Sequence, residues 1–383
     1  MPIALRSLAF LPMLVLALAG CTTTGETRTS AVPEPIAEIA AVPGASRAPI
    51  GASEAMPIRY WGDEPLKEGQ SFGFTAGADG SLDYLSLSGG GINGAYGAGF
   101  LVGWTQSGNR PEFEVVTGIS VGAMIAPLAF LGPAYDGHLQ AVFGTLAGSK
   151  SPNLNFVAAL FGSSSIASNA QVLGAIRSII TPETLTAIGR EHAKGRRLLI
   201  GTTNLDAERP VIWDIGAIAA SQIPDRLELV QKIILASTAV PGVYPPVLID
   251  VRAAGLEFDE LHVDGGVTQQ IVLLPDGLQS LPRNADLYVV YNGAIEPTAK
   301  PVNVSSLSIL ERAIPTLLKY RGRSDITILT NAVERSGISY RLTAIPADFP
   351  PPKDQLFGGQ EWLSALYQYG VESGQVGAWH RTN

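Results

Sequence analysis

Ser120 stands at the centre of Gly118-Ile119-Ser120-Val121-Gly122, after the apolar run Phe113 to Thr117 and before a stretch of small residues. Gly-x-Ser-x-Gly at a strand-to-helix junction is the pattern of a nucleophile elbow, a turn so tight that glycine is needed on both sides of the serine. The hydroxyl is held clear of the backbone, above the N-terminus of the next helix, where the dipole favours developing negative charge. The chemistry this suits is attack on a carbonyl carbon. A helix N-cap is the plainer reading, since serine is a preferred cap. The flanking glycines favour the nucleophile.

Two further segments carry chemistry. Ser88-Gly89-Gly90-Gly91-Ile92-Asn93-Gly94 follows an apolar run and precedes a helical stretch. Three consecutive glycines let backbone N–H groups converge on one point with no side chain in the way. Acyl transfer needs such donors for the oxyanion, and losing one typically costs about 3–4 kcal/mol of barrier. A phosphate loop is the rival reading, but the Gly-Lys-Ser/Thr ending and a clean Gly-x-Gly-x-x-Gly spacing are both lacking. A purely structural turn is the third. The other segment, Val263-Asp264-Gly265-Gly266, reads as a strand ending in a carboxylate, with glycines that let the chain fold away. Asp264 alone reads equally well as a turn former.

A serine nucleophile normally takes its proton acceptor from histidine, and the chain has four. His138 follows the elbow helix, His192 lies in a polar stretch expected to be solvated, and His380 lies in a tail expected to fray. His262 is two residues before Asp264, hence on the same strand face. None except His380 falls where a Ser–Asp–His order would require it.

Gly-Gly-Gly-x-x-Gly, Gly-x-Ser-x-Gly and Asp-Gly-Gly in this order resemble the patatin-like phospholipase family, and the block Ala236 to Pro246 is similar to that family's proline-rich segment between serine and aspartate. The resemblance implies a Ser–Asp dyad, with Ser120 as nucleophile and Asp264 taking and returning its proton. It implies an oxyanion hole supplied by Gly89, Gly90, Gly91 and Gly94, with Gly118 and Gly122 shaping the elbow. It implies a lipid or phospholipid ester as substrate and a patatin-like three-layer α/β sandwich. One departure is Asn93, where the family commonly carries Arg or Lys. A base for a hydroxyl needs a raised carboxyl pKa, for which burial is the means; Val263, Val267 and the Pro-Pro block are the apolar neighbours at hand. Neither metal nor other cofactor is expected, because no His-Glu-x-x-His and no cysteine cluster occurs. A small-ester or thioester hydrolase and a non-catalytic lipid-binding lipoprotein are the alternatives.

The elements that must position these residues alternate. Strands are expected at 82–88, 113–117, 197–204, 211–214, 261–264, 286–292 and 338–344. Helices are expected at 94–105, 121–131, 227–238 and 307–333. Alternating β and α elements predict a mostly parallel sheet covered on both faces, with the site at the carboxyl ends of strands. Aromatic residues between 152 and 165, and Trp362, Tyr367 and Tyr369, are candidates for an acyl pocket or for ordinary core.

The chain has 383 residues, 46% hydrophobic and 16% charged, which supports a sizeable core, and its net charge of −8 argues against nucleic-acid binding. Arg6, the apolar run Leu8 to Ala19 and Leu18-Ala19-Gly20-Cys21 resemble a bacterial lipoprotein signal over residues 1–20, with the single cysteine Cys21 as the lipid-attachment site. Thr22 rather than aspartate resembles lipoproteins sent to the outer membrane. Residues 21–57 read as an extended Pro/Ala/Thr/Ser-rich tether and 58–383 as the catalytic domain.

Overall fold

The computed structural model describes residues 28–45, 58–65, 73–77, 80–144, 169–272, 281–282, 284–351 and 359–381. The signal segment, Cys21 and the aromatic stretch 152–165 lie outside these residues.

Apolar runs form the central strands, and the two that carry the glycine turn and Ser120 at their ends each hand over directly to a helix. The strands are β1 (Arg59–Trp61), β2 (Leu82–Leu87), β3 (Val115–Ile119), β4 (Arg197–Asn204), β5 (Arg209–Asp214), β6 (Val247–Ala253), β7 (Leu256–Asp264), β8 (Ala285–Ala294), β9 (Ser339–Ile345) and β10 (His380–Arg381). The helices are α1 (Gly94–Gln106), α2 (Val121–Leu131), α3 (Asp136–Phe143), α4 (Asn169–Ile179), α5 (Pro182–Ala193), α6 (Ile215–Ala220), α7 (Arg226–Thr238), α8 (Ser306–Ser336) and α9 (Gln360–Val376).

Five strands run parallel in the order β4-β3-β2-β8-β9. β5 and then β1 extend one edge antiparallel, and β10 closes the other. β7 pairs antiparallel with the end of β4 and forms a hairpin with β6. Every residue of β3 and β4 is buried, as expected of strands covered on both faces. α1, α2, α7 and α9 share one core with Leu85, Leu87 and Val116 of the sheet. Leu329 and Val333 of α8 share the other with Tyr84, Val115 and Leu199. The result is the mostly parallel α/β sandwich that the element pattern predicts. α1 and α9 pack backbone to backbone: a Cβ at Gly99 would overlap the Tyr367 carbonyl, and one at Gly374 the Phe100 carbonyl.

Several expectations are corrected. Residues 28–45, read as tether, pack on the β6–β7 hairpin. Val32, Ile36 and Ala40 meet Val251, Ala253 and Phe258, Ala41 bridges to Arg252, and Arg28 pairs with Asp206. Pro33 and Pro35 begin a 3-10 helix, Glu34–Ile39. β7 starts at Leu256 rather than 261, because hairpin pairing with β6 extends it. His380 is held in β10 against Leu342. His192 is half-buried, 3.5 Å from Asp214, rather than solvated; burial and the Arg197 charge lower its pKa to about 4. The aromatic residues left open between acyl pocket and core need no correction: Tyr369 stacks on Tyr96 of α1, and Trp362 packs on Phe349.

Candidate active site

The site forms where β2, β3 and β7 end. β3 runs out at Ile119, and Ser120 takes φ 55° and ψ −125°, a backbone conformation unusual for a residue with a side chain. The surroundings enforce it. A Cβ at Gly118 would press on the Gly122 carbonyl, and one at Gly122 would overlap the Leu87 carbonyl at the end of β2. The Ser120 N–H donates to Ser237 Oγ at 2.9 Å, and Ser237 Oγ donates to the Gly201 carbonyl at 2.7 Å. Ser237, on the buried face of α7, thereby ties the elbow to β4.

The glycine turn is fixed from the opposite side. Asn292, near the end of β8, donates through Nδ2 to the Ser88 carbonyl and through its N–H to Ser88 Oγ, both at 2.8 Å. Gly90 lies so close to β8 that a Cβ there would overlap the Asn292 carbonyl oxygen. The four glycines expected to stabilise an oxyanion divide. The Gly89 N–H donates to the Gln270 carbonyl at 3.2 Å, and the Gly94 N–H to the carbonyls of Gly91 and Ile92. Among the described residues no carbonyl takes the N–H of Gly90 or Gly91. The expectation therefore narrows from four donors to these two. Asn93 sits in the 3-10 turn Gly91–Asn93 and makes no side-chain cap to α1.

Asp264 closes β7 and meets the elbow. Its N–H donates to the Ala239 carbonyl at 3.0 Å, and Oδ1 accepts the Gly266 N–H at 2.7 Å. Gly265 rests on the Gly201 carbonyl, where a Cβ has no room. Asp264 is 2% exposed, and among the described residues no hydrogen bond of full geometry reaches Oδ2. Burial pushes its pKa up to about 7, and the nearby Ser120 hydroxyl and the Gly266 N–H only partly offset this. The apolar cover differs from expectation: Val263 is buried, but Val267 is 41% exposed. Ser120 itself is 5% exposed. Ser120, Asp264 and the glycine turn are thus brought together, with Ser120 Cβ 3.3 Å from where a Cβ on Gly89 would stand.

His262 is not free to serve Ser120. Its Nε2 donates to Glu260 at 3.2 Å and its Nδ1 accepts from the Thr202 hydroxyl at 3.0 Å. Among the described residues no group of three or more His, Cys, Asp or Glu side chains is arranged to hold a metal ion.

Sequence reading missed Gln270 and Asp325. The Asp325 carboxylate, buried on α8, accepts from the N–H groups of Gln270 at 2.7 Å and Ile271 at 3.3 Å. Gln270 in turn holds Gly89 through its carbonyl and reaches the Gly266 carbonyl through Nε2 at 3.4 Å. One residue thus braces both the glycine turn and the turn after Asp264. No local pattern signals this, since Asp325 lies 55 residues from Gln270.

Residues 85–275 match the family model described as patatin-like phospholipase. Similar solved structures include VipD from Legionella pneumophila, at 12% identity and TM-score 0.38, covering 82% of this chain and 72% of VipD. Human GIVD cytosolic phospholipase A2 matches at 11% identity and TM-score 0.39, covering 78% of this chain and 59% of that one. The type III effector protein ExoU of Pseudomonas aeruginosa matches at 12% identity and TM-score 0.32, covering 78% and 53%. The chain thus spans less than two thirds of the last two. No curated protein matches it in sequence. On the strength of the family model, residues 85–275 form a domain of the patatin-like phospholipase family.

Proposed function

We propose that the protein is a lipid acyl hydrolase that cleaves carboxylic esters of phospholipids or related lipids through a Ser120–Asp264 dyad. The observation that carries this reading is the Asp264 carboxyl: buried beside Ser120, with Oδ2 unsatisfied and its pKa raised to about 7. A carboxylate in ordinary water is too weak a base for a hydroxyl, whereas one poised near neutrality suits general-base work. The family assignment supports a lipid ester as the substrate class.

Ser120 Oγ attacks the ester carbonyl carbon while Asp264 takes the hydroxyl proton. The carbonyl oxygen becomes an oxyanion, and the N–H groups of Gly90 and Gly91 receive it. Collapse expels the alcohol, which leaves with the proton from Asp264, and an acyl-serine remains. Water then attacks the acyl carbon, gives its proton to Asp264 and releases the fatty acid; Asp264 returns the proton to Ser120. The signal-like sequence ending at Cys21 supports attachment of the chain to the cell envelope, in the outer membrane, through acyl groups on that cysteine.

A fluorophosphonate probe tests the nucleophile. Wild type is expected to label and Ser120→Ala to remain unlabelled, with release of fatty acid from a defined phospholipid mixture lost in parallel. Equal labelling of both proteins would end the assignment of Ser120. Labelling of wild type with turnover of short-chain esters alone would favour the small-ester reading.

A further inference from the structure

Seven of the twelve large apolar side chains exposed among the described residues fall between residues 302 and 328. Five belong to α8: Ile309, Leu310, Leu317, Tyr320 and Ile328; Val302 and Val304 immediately precede the helix. Packing does not account for them, because α8 buries a different face, with Asp325, Leu329 and Val333 against the sheet. Leu310, Leu317 and Ile328 recur at intervals of two and three helical turns, so they form one outward ridge. Leu317 at its centre is 70% exposed. Among the exposed positions from Arg312 to Asn331 there is no carboxylate, and the one charged residue is Arg321.

A second line of residues borders the exposed apolar face on the side of Ile309 and Tyr320, where the Arg323 guanidinium lies over the Tyr320 ring. Arg312, Lys319 and Arg323 share one side of α8, and they donate to the carbonyls of Thr298, Glu296 and Ile295 at 2.5, 2.9 and 3.3 Å. They stand close enough that, after partial burial, the charges of Arg312 and Arg323 lower the Lys319 pKa, and Glu296 only partly offsets them. A chain of net charge −8 thus sets three cationic side chains along one border of the apolar face that the described part of α8 exposes.

We propose that the outward face of α8 docks on an anionic lipid bilayer. An apolar ridge enters the boundary between head groups and acyl chains, while ammonium and guanidinium groups beside it meet lipid phosphates. No helix among the described residues is long and apolar enough to cross a membrane, so α8 lies on the surface. The helix is also placed to serve the site. It packs against the Gly265–Val267 turn that follows Asp264, and its Asp325 holds Gln270. Docking there brings lipid to the side of the fold where the turn after Asp264 lies. The choice of a bilayer over a protein partner rests in part on the hydrolase reading above.

A depth probe tests it in the full chain. With Cys21→Ser, an environment-sensitive dye is attached at Leu317→Cys or, on the opposite layer, at Glu372→Cys. The protein is mixed with vesicles of phosphatidylcholine and phosphatidylglycerol that carry spin-labelled quencher lipids. Quenching at 317 is expected to exceed that at 372 by roughly threefold or more, and to weaken in pure phosphatidylcholine. Equal quenching at both positions overturns the proposal. So does a vesicle-independent blue shift at 317 that grows with protein concentration, which would assign the face to a second copy. A separate arm compares turnover: Leu317→Glu is expected to lower the ratio of vesicle to soluble-ester turnover by roughly fivefold or more. An unchanged ratio counts against docking. If the wild type turned over neither ester, the hydrolase reading would fail while the dye result still decided the docking.

Discussion

Two buried carboxylates stand four residues apart on β7 and behave in opposite ways. Glu260 is surrounded by partners. Arg59 pairs with both of its oxygens, His262 Nε2 donates to Oε2, and the network continues through Thr202 to the Trp213 Nε1–H at 2.8 Å. Burial alone would raise its pKa, but the His262 hydrogen bond and the Arg59 charge outweigh it and hold the group at about 2. Asp264 is equally buried and has one backbone donor and the elbow hydroxyl, so desolvation wins and its pKa climbs to about 7. Burial therefore does not make a base; burial without a counter-charge does. The same strand holds a well-paired anion at its middle and a carboxyl of raised pKa at its end, because the first faces a guanidinium and the second faces a serine.

The largest effect that tests this contrast is loss of turnover. Asp264→Asn is expected to lower kcat by roughly a thousandfold or more, as removal of a dyad or triad base does, while Glu260→Gln retains most activity per folded molecule. Stability should move the other way. Shifting a carboxyl from 3.8 to about 7 disfavours its ionised form in the fold by on the order of 4 kcal/mol. Asp264→Asn is therefore expected to raise the melting temperature by a few degrees at pH 8, and by less at pH 5, where wild-type Asp264 is already protonated. Glu260→Gln strips a buried pair of its charge and should cost about 3 kcal/mol. Calorimetry at the two pH values checks the signs. Destabilisation by Asp264→Asn at pH 8 would sink the claim that its charge lacks a partner.

Much of the site is legible in the sequence because its constraints are local. Gly118, Gly122 and Gly265 face carbonyls a few ångströms away, so tight turns leave their mark on adjacent positions. The central strands are equally plain, since strands covered on both faces are continuously apolar. What sequence does not display is the destination of each hydrogen bond. Gly89 and Gly91 look alike in a triple-glycine run, yet one N–H is taken by Gln270 and the other is not. Asp325, one acidic residue on a long helix, resembles a solvated side chain until tertiary packing turns it inward. Residues 28–45 read as a tether because proline and alanine dominate, and only the exposed face of the β6–β7 hairpin gives their few apolar residues somewhere to pack. His380 has no local strand signal at all and owes its place to the edge of β9.

An intermediate effect lies at Asp325, which extends the contrast to a carboxylate that positions rather than reacts. Asp325→Ala leaves the N–H groups of Gln270 and Ile271 unpaired, a loss of about 1–3 kcal/mol, and loosens the carbonyl that holds Gly89. Turnover is expected to fall roughly tenfold through kcat with KM little changed, because the oxyanion donors act in the transition state. Asp325→Asn keeps one acceptor for Gln270 and should recover part of the loss. If both variants lowered stability alike and left kcat alone, Asp325 would be a fold residue only.

The smallest effect is a shift of midpoint. On the proposed dyad, Asp264 must be ionised to accept the serine proton, so kcat/KM on a soluble ester should rise with pH around a midpoint near 7 and fade below it. Linkage runs in the opposite direction over the same window. The folded state holds the Asp264 proton more tightly than the unfolded chain, so this group's contribution to stability is fully present below 3.8 and is lost as pH rises through about 7. The proposed dyad would thus gain activity where this one side chain gives up stability. Glu260, depressed to about 2, is ionised throughout that range and cannot produce the midpoint. Glu260→Gln should accordingly leave the pH–rate midpoint within a few tenths of a unit, even though it removes the nearest well-paired carboxylate on the strand. A midpoint near 4 in the wild type would mean that water reaches Asp264 in solution, and the distinction between Glu260 and Asp264 would collapse.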